Sequence, residues 1–245
     1  MPDYGTAEPR RRLGLSIFGW FVFIMLFAGL ILVGWKTAKY YGMIKRGEIV
    51  YLPQFRGQLS TTKKPVISRD SVERSVIEVA DEPAIGADAA TAKLTIVEFA
   101  DFECPFSKQA SSGIRSLVAR YGDKVRVIYR DYPLEDIHTH AKQAALAAQC
   151  AGEQNKFWAY HDKIYLSSSL ASADLLSYAS EIGLDEKQFE KCFVEERYKD
   201  KVEADTKLAQ TLGVSGTPAF FFNGQKVEGA IPDDQLDKIV QRMIQ

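Results

Sequence analysis

Phe99-Ala100-Asp101-Phe102-Glu103-Cys104-Pro105-Phe106-Ser107 is the stretch that decides how this chain folds. It lies where an apolar run ends and a helical pattern begins. Ahead of it, Leu94-Thr95-Ile96-Val97-Glu98-Phe99 is rich in β-branched and aromatic residues and predicts a buried strand. Behind it, Ala110, Ile114, Leu117 and Val118 recur at helical spacing. Cys104 therefore stands at a helix N-terminus, where unpaired N–H groups and the helix dipole favour negative charge on sulfur. Pro105 suits the first helical turn, because the N–H it lacks would have no partner there. The pattern is that of a reactive thiol rather than of a small buried hydrophobe, the other common use of a free cysteine. Three residues on, where a dithiol motif would carry its second cysteine, stands Ser107.

Downstream, Val125-Arg126-Val127-Ile128-Tyr129 predicts a second strand, and three or more helical patterns follow between residues 137 and 212. Phe157, His161 and Ile164 share one helical face; Gly152, Gly183 and Gly213 are placed to end helices. Ala219-Phe220-Phe221-Phe222 is the next strand. Asn223-Gly224 then signals a two-residue hairpin returning through Gln225-Lys226-Val227. Leu236, Ile239, Val240 and Ile244 mark a last amphipathic helix. The order is β-α-β, a helical block, then β-β-α, an α/β fold with a helical insertion.

Upstream, residues 1–12 are polar and end in Arg10-Arg11-Arg12, and Leu13–Trp35 is a run of 23 residues without a charge. About 20 apolar residues cross the hydrocarbon core of a bilayer as a helix. Trp20, Trp35, Tyr40 and Tyr41 are candidate interface anchors. The run exceeds a typical signal-peptide core and no clear cleavage site follows, so an uncleaved anchor over 13–35 is expected, with 1–12 as a cytoplasmic tail. Lys36, Lys39, Lys45 and Arg46 follow the run, so the positive-inside rule does not set its orientation. Residues 36–75, punctuated by Leu52-Pro53, Arg56-Gly57 and Lys63-Lys64-Pro65, are expected to be a tether. The folded domain is expected over 76–245, with an edge strand in Val72–Val79 and an acidic, alanine-rich lead-in from Asp81 to Lys93.

The chain has 245 residues, 46% hydrophobic and 26% charged, with a formal net charge of −1. Residues 1–50 hold seven basic and three acidic side chains, leaving 24 basic and 29 acidic in the remainder. No basic patch with interleaved aromatics points to nucleic acid. His138, His140 and His161 lack the spacing of a structural zinc site, and no metal is expected. Of the three cysteines, Cys150 and Cys192 are either bridged across the helical block or two separate core thiols. Glu98, six residues before Cys104, is either a buried acid with a raised pKa or a residue at a sheet edge facing water. Gly216-Thr217-Pro218 leads into the Phe-rich strand; Pro218 is either cis or trans, and a cis turn would leave the Thr217 backbone open to an extended substrate.

Ile96–Phe106 resembles the active-site strand and helix start of DsbA-like thioredoxin-fold oxidoreductases, and Gly213–Phe220 resembles their cis-proline segment. The likeness runs from about Pro83 to the C-terminus. It implies a four- or five-stranded thioredoxin sheet with an inserted helical subdomain. It places the family's nucleophile, buried acid and cis-proline on Cys104, Glu98 and Pro218, and implies a Cys150–Cys192 bridge. With it comes an extracytoplasmic domain on an inner-membrane anchor. Two departures stand out. Ser107 replaces the resolving cysteine, and is expected to donate a hydrogen bond to the Cys104 thiolate instead. Phe106 replaces the histidine of strongly oxidising members.

The leading expectation is thus a membrane-anchored thiol–disulfide oxidoreductase, isomerase- or reductase-like, acting through Cys104 on client proteins. Pro105, Phe106, Thr217 and Pro218 would contact the client. No bound cofactor is implied; glutathione or another external thiol, or a redox partner protein, would complete the exchange. The alternatives are a non-catalytic peptide-binding module and a glutathione-dependent transferase or isomerase.

Overall fold

The computed structural model describes Trp20, Phe23, Met25, Gly29, Gly34, residues 66–78 and residues 82–245. These belong to two compact units, residues 1–57 and residues 58–245. In the first unit the five described residues are helical, and Trp20, Phe23 and Met25 are exposed. The expected tail over 1–12, most of the 13–35 span and the tether up to residue 65 lie outside the described residues. Among the described residues no helix is long and apolar enough to cross a membrane.

The second unit is built in the order β1 (Val66–Ser71), α1 (Arg74–Ile77), β2 (Ala84–Gly86), β3 (Leu94–Ala100), α2 (Pro105–Tyr121) and β4 (Val125–Asp131). A helical block follows: α3 (Ala141–Gly152), α4 (Phe157–Leu166), α5 (Ser172–Glu181), α6 (Glu186–Val194) and α7 (Lys199–Thr211). The hairpin β5 (Ala219–Phe222) and β6 (Gln225–Glu228) and the helix α8 (Asp233–Met243) complete it. The strands form one sheet in the order β1-β6-β5-β3-β4-β2. β3 runs parallel to β4 and antiparallel to β5. This is the thioredoxin-type α/β fold with a helical subdomain between β4 and β5.

β3 reads as a continuous apolar run because both of its faces are covered, and all seven of its residues are buried. Leu94 and Ile96 pack with Ala110, Ile114 and Leu117 of α2 and with Leu236 and Val240 of α8. Val97 and Phe99 pack on the opposite face with Ile128, Ala219, Phe221, Ala209 and Ile77. The helical block has its own core, in which α3 buries Ala144 to Ala148 against Tyr160, Leu175 and Phe189. The hairpin turn has Asn223 at φ 47° and Gly224 at φ 90°, the left-handed pair that suits the twist of two short strands. Gly224 is further required because a Cβ there would meet the Val72 carbonyl.

Three expectations need correction. The tether does not extend to residue 75, because Val66–Ser71 pairs antiparallel with β6 and adds an edge strand. That pairing spans more than 150 residues of sequence, and no local pattern signals it. In place of the edge strand expected in Val72–Val79, the described residues 72–78 hold a single helical turn, α1, which buries Ile77. The lead-in from Asp81 to Lys93 contains β2, which closes the other edge of the sheet against β4. The sheet therefore has six strands rather than four or five.

Cys150 of α3 and Cys192 of α6 form a disulfide with a Cα–Cα distance of 5.8 Å. Both sulfurs lie in the helical core. The bond closes a loop across α4 and α5 with a sequence separation of 42. By chain entropy such a loop contributes about 4 kcal/mol. The Cys150→Ala/Cys192→Ala double variant is expected to lower the stability of the domain by about 2–4 kcal/mol, read as a fall in denaturant midpoint at unchanged slope.

Candidate active site

Cys104 is the N-cap residue of α2, with φ −71° and ψ 122°. Asp101 O accepts from the Cys104 N–H at 3.1 Å, and the helix starts when Cys104 O accepts from Lys108 N–H at 3.0 Å. Pro105 follows at the first helical position. Among the described residues the Phe106 and Ser107 N–H groups have no acceptor, as expected of a first helical turn. Cys104 is the free cysteine of the chain and is only 4% exposed. Its Sγ makes no capping bond; it donates to Thr217 O at 3.3 Å.

That contact is a product of sheet register. Phe99 of β3 lies opposite Ala219 of β5, so the segment entering β5 meets the segment leaving β3. The Thr217–Pro218 peptide bond is cis. Thr217 and Pro218 are buried, and the Thr217 hydroxyl is buried without a partner. Among the described residues the Thr217 N–H has no hydrogen-bond acceptor. Pro105 is exposed and Phe106 half-buried, at the rim of the same junction.

Ser107 is fully buried in the first turn of α2. The expected hydrogen bond from Ser107 to Cys104 is not formed. Instead Ser107 Oγ accepts from the Asp101 N–H at 3.4 Å. The end of β3 leaves that N–H without a ladder partner, and a nearby hydroxyl satisfies it.

Glu98 is 1% exposed, in the middle of β3 between Tyr129 of β4 and Phe220 of β5. It shares a sheet face with Leu94 and Ile96, the face covered by α2. Its Oε2 is buried without a partner. Burial alone pushes its pKa up to about 8. Two buried phenols stand nearby. Tyr129 and Tyr165 hydroxyls lie 3.4 Å apart, and the Tyr165 hydroxyl also donates to Asp101 O at 3.4 Å. Burial, and then the Glu98 charge, hold the Tyr165 phenol far above its ordinary range.

One residue of the site has no place in the sequence reading. Asp101 ends the strand and sends its side chain into the protein. Its Oδ1 accepts from Glu103 N–H at 2.7 Å, and its Oδ2 accepts from Leu134 N–H at 2.8 Å. His138 Nδ1 lies 2.8 Å from the same Oδ2. Glu103 reaches the same loop, its Oε2 accepting from His140 N–H at 2.6 Å. An aspartate two residues before a helix-entry turn is the available signal, since such a residue closes an Asx turn. His161 is a core residue, with Nδ1 2.9 Å from Asp162 Oδ1 and its ring among Phe102, Tyr129, Phe157, Trp158 and Tyr165. The three histidines thus have separate partners. Beside the thiol turn, Phe102, Glu103, Lys108, His140, Ile164 and the Ser167–Leu170 segment enclose a cavity of about 340 Å3.

A thiol at a strand-to-helix junction, facing a cis-proline loop across an inserted helical block, defines a DsbA-like thiol–disulfide oxidoreductase fold. The chain belongs to the thioredoxin family, whose model matches residues 78–242. A thioredoxin-like oxidoreductase from Silicibacter pomeroyi superposes with a TM-score of 0.62 at 29% identity, over 70% of this chain and 97% of that one. Pseudomonas aeruginosa DsbA2 superposes with a TM-score of 0.56 at 27% identity, over 68% of this chain and 96% of that one. The Wolbachia pipientis thiol-disulfide exchange protein alpha-DsbA2 shares the fold, with a TM-score of 0.62 at 22% identity, over 69% of this chain and 91% of that one. Among curated proteins, the Na(+)/H(+) antiporter NhaA 3 of Salinispora tropica is 41% identical over 150 residues, 61% of this chain and 23% of that protein. NhaA 1 of Salinispora arenicola is 37% identical over the same shares. The chain thus spans less than a quarter of the length of these curated relatives.

Glu98 yields a pH prediction. Its folded pKa of about 8 lies above the ordinary 4.5, so between these values the folded state holds a proton that the unfolded state has released. The stability from this group is complete below pH 4.5 and is lost as pH rises through 8. Glu98→Gln is expected to flatten that loss, gaining roughly 3–5 kcal/mol relative to the parent at pH 9 and little at pH 5. Denaturant melts at the two pH values read it directly.

Proposed function

We propose that the chain is a membrane-anchored thiol–disulfide oxidoreductase that works through Cys104 alone. The observation that carries this reading is the pairing of a lone cap cysteine with the Thr217 carbonyl, while Ser107 occupies the place of a second thiol. The Cys104 thiolate attacks one sulfur of a client disulfide. An S–S bond forms between Cys104 and the client, the client's own S–S bond breaks, and the departing client sulfur leaves as a thiolate that takes up a proton. Ser107 cannot complete the cycle, because a hydroxyl does not exchange with a disulfide. A second thiol must attack the mixed disulfide and return Cys104 to its thiolate. That thiol comes from the client, giving isomerisation, or from an external thiol such as glutathione or a redox partner, which ends bonded to the client sulfur; a second external thiol then frees the client thiolate and leaves as the oxidised disulfide of the two external thiols, completing a two-electron reduction.

Pro105, Phe106, Thr217 and Pro218 form the client contact in this reading, with the free Thr217 N–H offering one strand-type hydrogen bond to an extended peptide. Glu98 is the buried proton store beneath the site. The apolar Leu13–Trp35 segment anchors the domain on the extracytoplasmic side of the cytoplasmic membrane. The oxidised Cys150–Cys192 pair supports that compartment, since disulfides persist outside the reducing cytosol. The 4% exposure of Cys104 and the free Thr217 N–H favour a second reading, a peptide-binding module without turnover.

Incubated with a disulfide-containing peptide and quenched with acid, the full chain is expected to yield a mixed disulfide at Cys104, and Cys104→Ala none. Equal cross-linking by Cys104→Ala would sink the redox reading and leave the binding module. Ser107→Cys places a thiol one turn along the helix from Cys104, within reach of a disulfide. It is expected to shorten the lifetime of the mixed disulfide by at least about tenfold, because the resolving thiol becomes intramolecular.

A further inference from the structure

We infer that Asp101 is the positioning residue for Cys104 and that His138 extends this control into the β4–α3 loop, resting on the reading of Cys104 as the nucleophile. The Asp101 side chain is fully buried. A carboxyl group is placed there at a cost that only close donors offset. Asp101 has three, from the turn leading into Cys104 and from two points of the β4–α3 loop. Glu103 N–H, at 2.7 Å from Oδ1, closes an Asx turn over the residues leading into Cys104. Leu134 N–H, at 2.8 Å from Oδ2, fixes the start of the β4–α3 loop. His138 Nδ1, at 2.8 Å from Oδ2, fixes its far end. Both carboxyl oxygens already accept backbone hydrogens, so the histidine nitrogen supplies the hydrogen of the third bond.

The main chain of Asp101 holds the rest of the site. Its carbonyl accepts from Cys104 N–H at 3.1 Å and from the Tyr165 hydroxyl at 3.4 Å, and its N–H donates to Ser107 Oγ at 3.4 Å. One residue thus ties together the thiol's own amide, the first turn of α2, the β4–α3 loop and helix α4. Cys104 follows this turn in an extended cap conformation, and from it Sγ reaches Thr217 O. Disulfide exchange requires the attacking sulfur to approach along the client's S–S bond while the client lies against the Thr217–Pro218 segment. Orientation therefore governs its rate. Alkylation by a small reagent makes no such demand, so the two reactions separate positioning from intrinsic thiol reactivity.

The test uses the full-length chain in detergent, with a disulfide-linked peptide and iodoacetamide as the two probes. Asp101→Asn and His138→Ala are expected to slow mixed-disulfide formation about tenfold, the scale of a lost hydrogen bond to a charged group, and to change iodoacetamide labelling by less than about twofold. His138→Asn puts an amide nitrogen near the position of Nδ1 and is expected to recover at least half of the parent exchange rate. Exchange at the parent rate in Asp101→Asn and His138→Ala overturns the inference. So does an equal slowing of exchange and labelling, or a His138→Asn rate no better than that of His138→Ala. Where Asp101→Asn does not fold, the His138 pair decides alone. A parent chain that forms no mixed disulfide through Cys104 overturns the functional reading and this inference together. A parent that exchanges, with indifferent His138 variants, overturns this inference only.

Discussion

The site depends on the antiparallel pairing of β3 with β5. Phe99 lies opposite Ala219, and this register brings the ends of two strands more than 100 residues apart into one junction. Because side chains alternate along a strand, a slip of one residue would turn Val97, Phe99 and Phe221 out of one core and Ile96, Phe220 and Phe222 out of the other. Burial on both faces therefore sets the register, and the register sets the contact between Cys104 and Thr217. Core packing thus brings the sulfur to the backbone carbonyl to which it donates at 3.3 Å.

The two buried acids near this junction show how placement divides their roles. Glu98 lies within a strand whose backbone groups are taken up by the ladders on both sides, and its Oε2 has no donor. Its proton is retained to about pH 8 by burial alone. Asp101 lies three residues later, where the strand has ended and the turn offers free N–H groups. It collects Glu103 and Leu134 N–H and the His138 ring. One acid is left without a donor and the other collects three, and the difference lies in which donors the fold leaves open.

The helical block borders the thiol turn and carries its own reinforcement. Tyr165 of α4 reaches the Asp101 carbonyl, and the cavity beside the thiol turn is walled by Ile164 and the Ser167–Leu170 segment. The disulfide joins α3 to α6 within the core that both helices share with Tyr129. A buried charge group, Arg130 with Asp205 and Glu82, and Lys201 with Glu82 and Asp205, fastens α7 to β4 on the opposite side of the sheet. The end of the insertion is thus fastened to the sheet through α7.

Local pattern carried much of this in the sequence itself. β3 at 94–100, α2 after Cys104, the Phe-rich strand and the Asn223-Gly224 hairpin follow from periodicity, Pro105 and turn chemistry, which act over a few residues. Cys104 at a helix cap belongs to the same class. What only the tertiary structure decided is non-local. Val66–Ser71 becomes an edge strand because β6 offers it a free edge. Glu98 is buried because α2 covers its face, a choice that alternation leaves open. The Ser107 hydroxyl turns to the Asp101 amide, and Asp101 to the loop at Leu134 and His138, because these groups meet only after the sheet has closed. The sequence by itself determined a thiol at a helix start; the folded chain decided what surrounds it, since hydrogen-bond partners and burial are set by contacts distant in sequence.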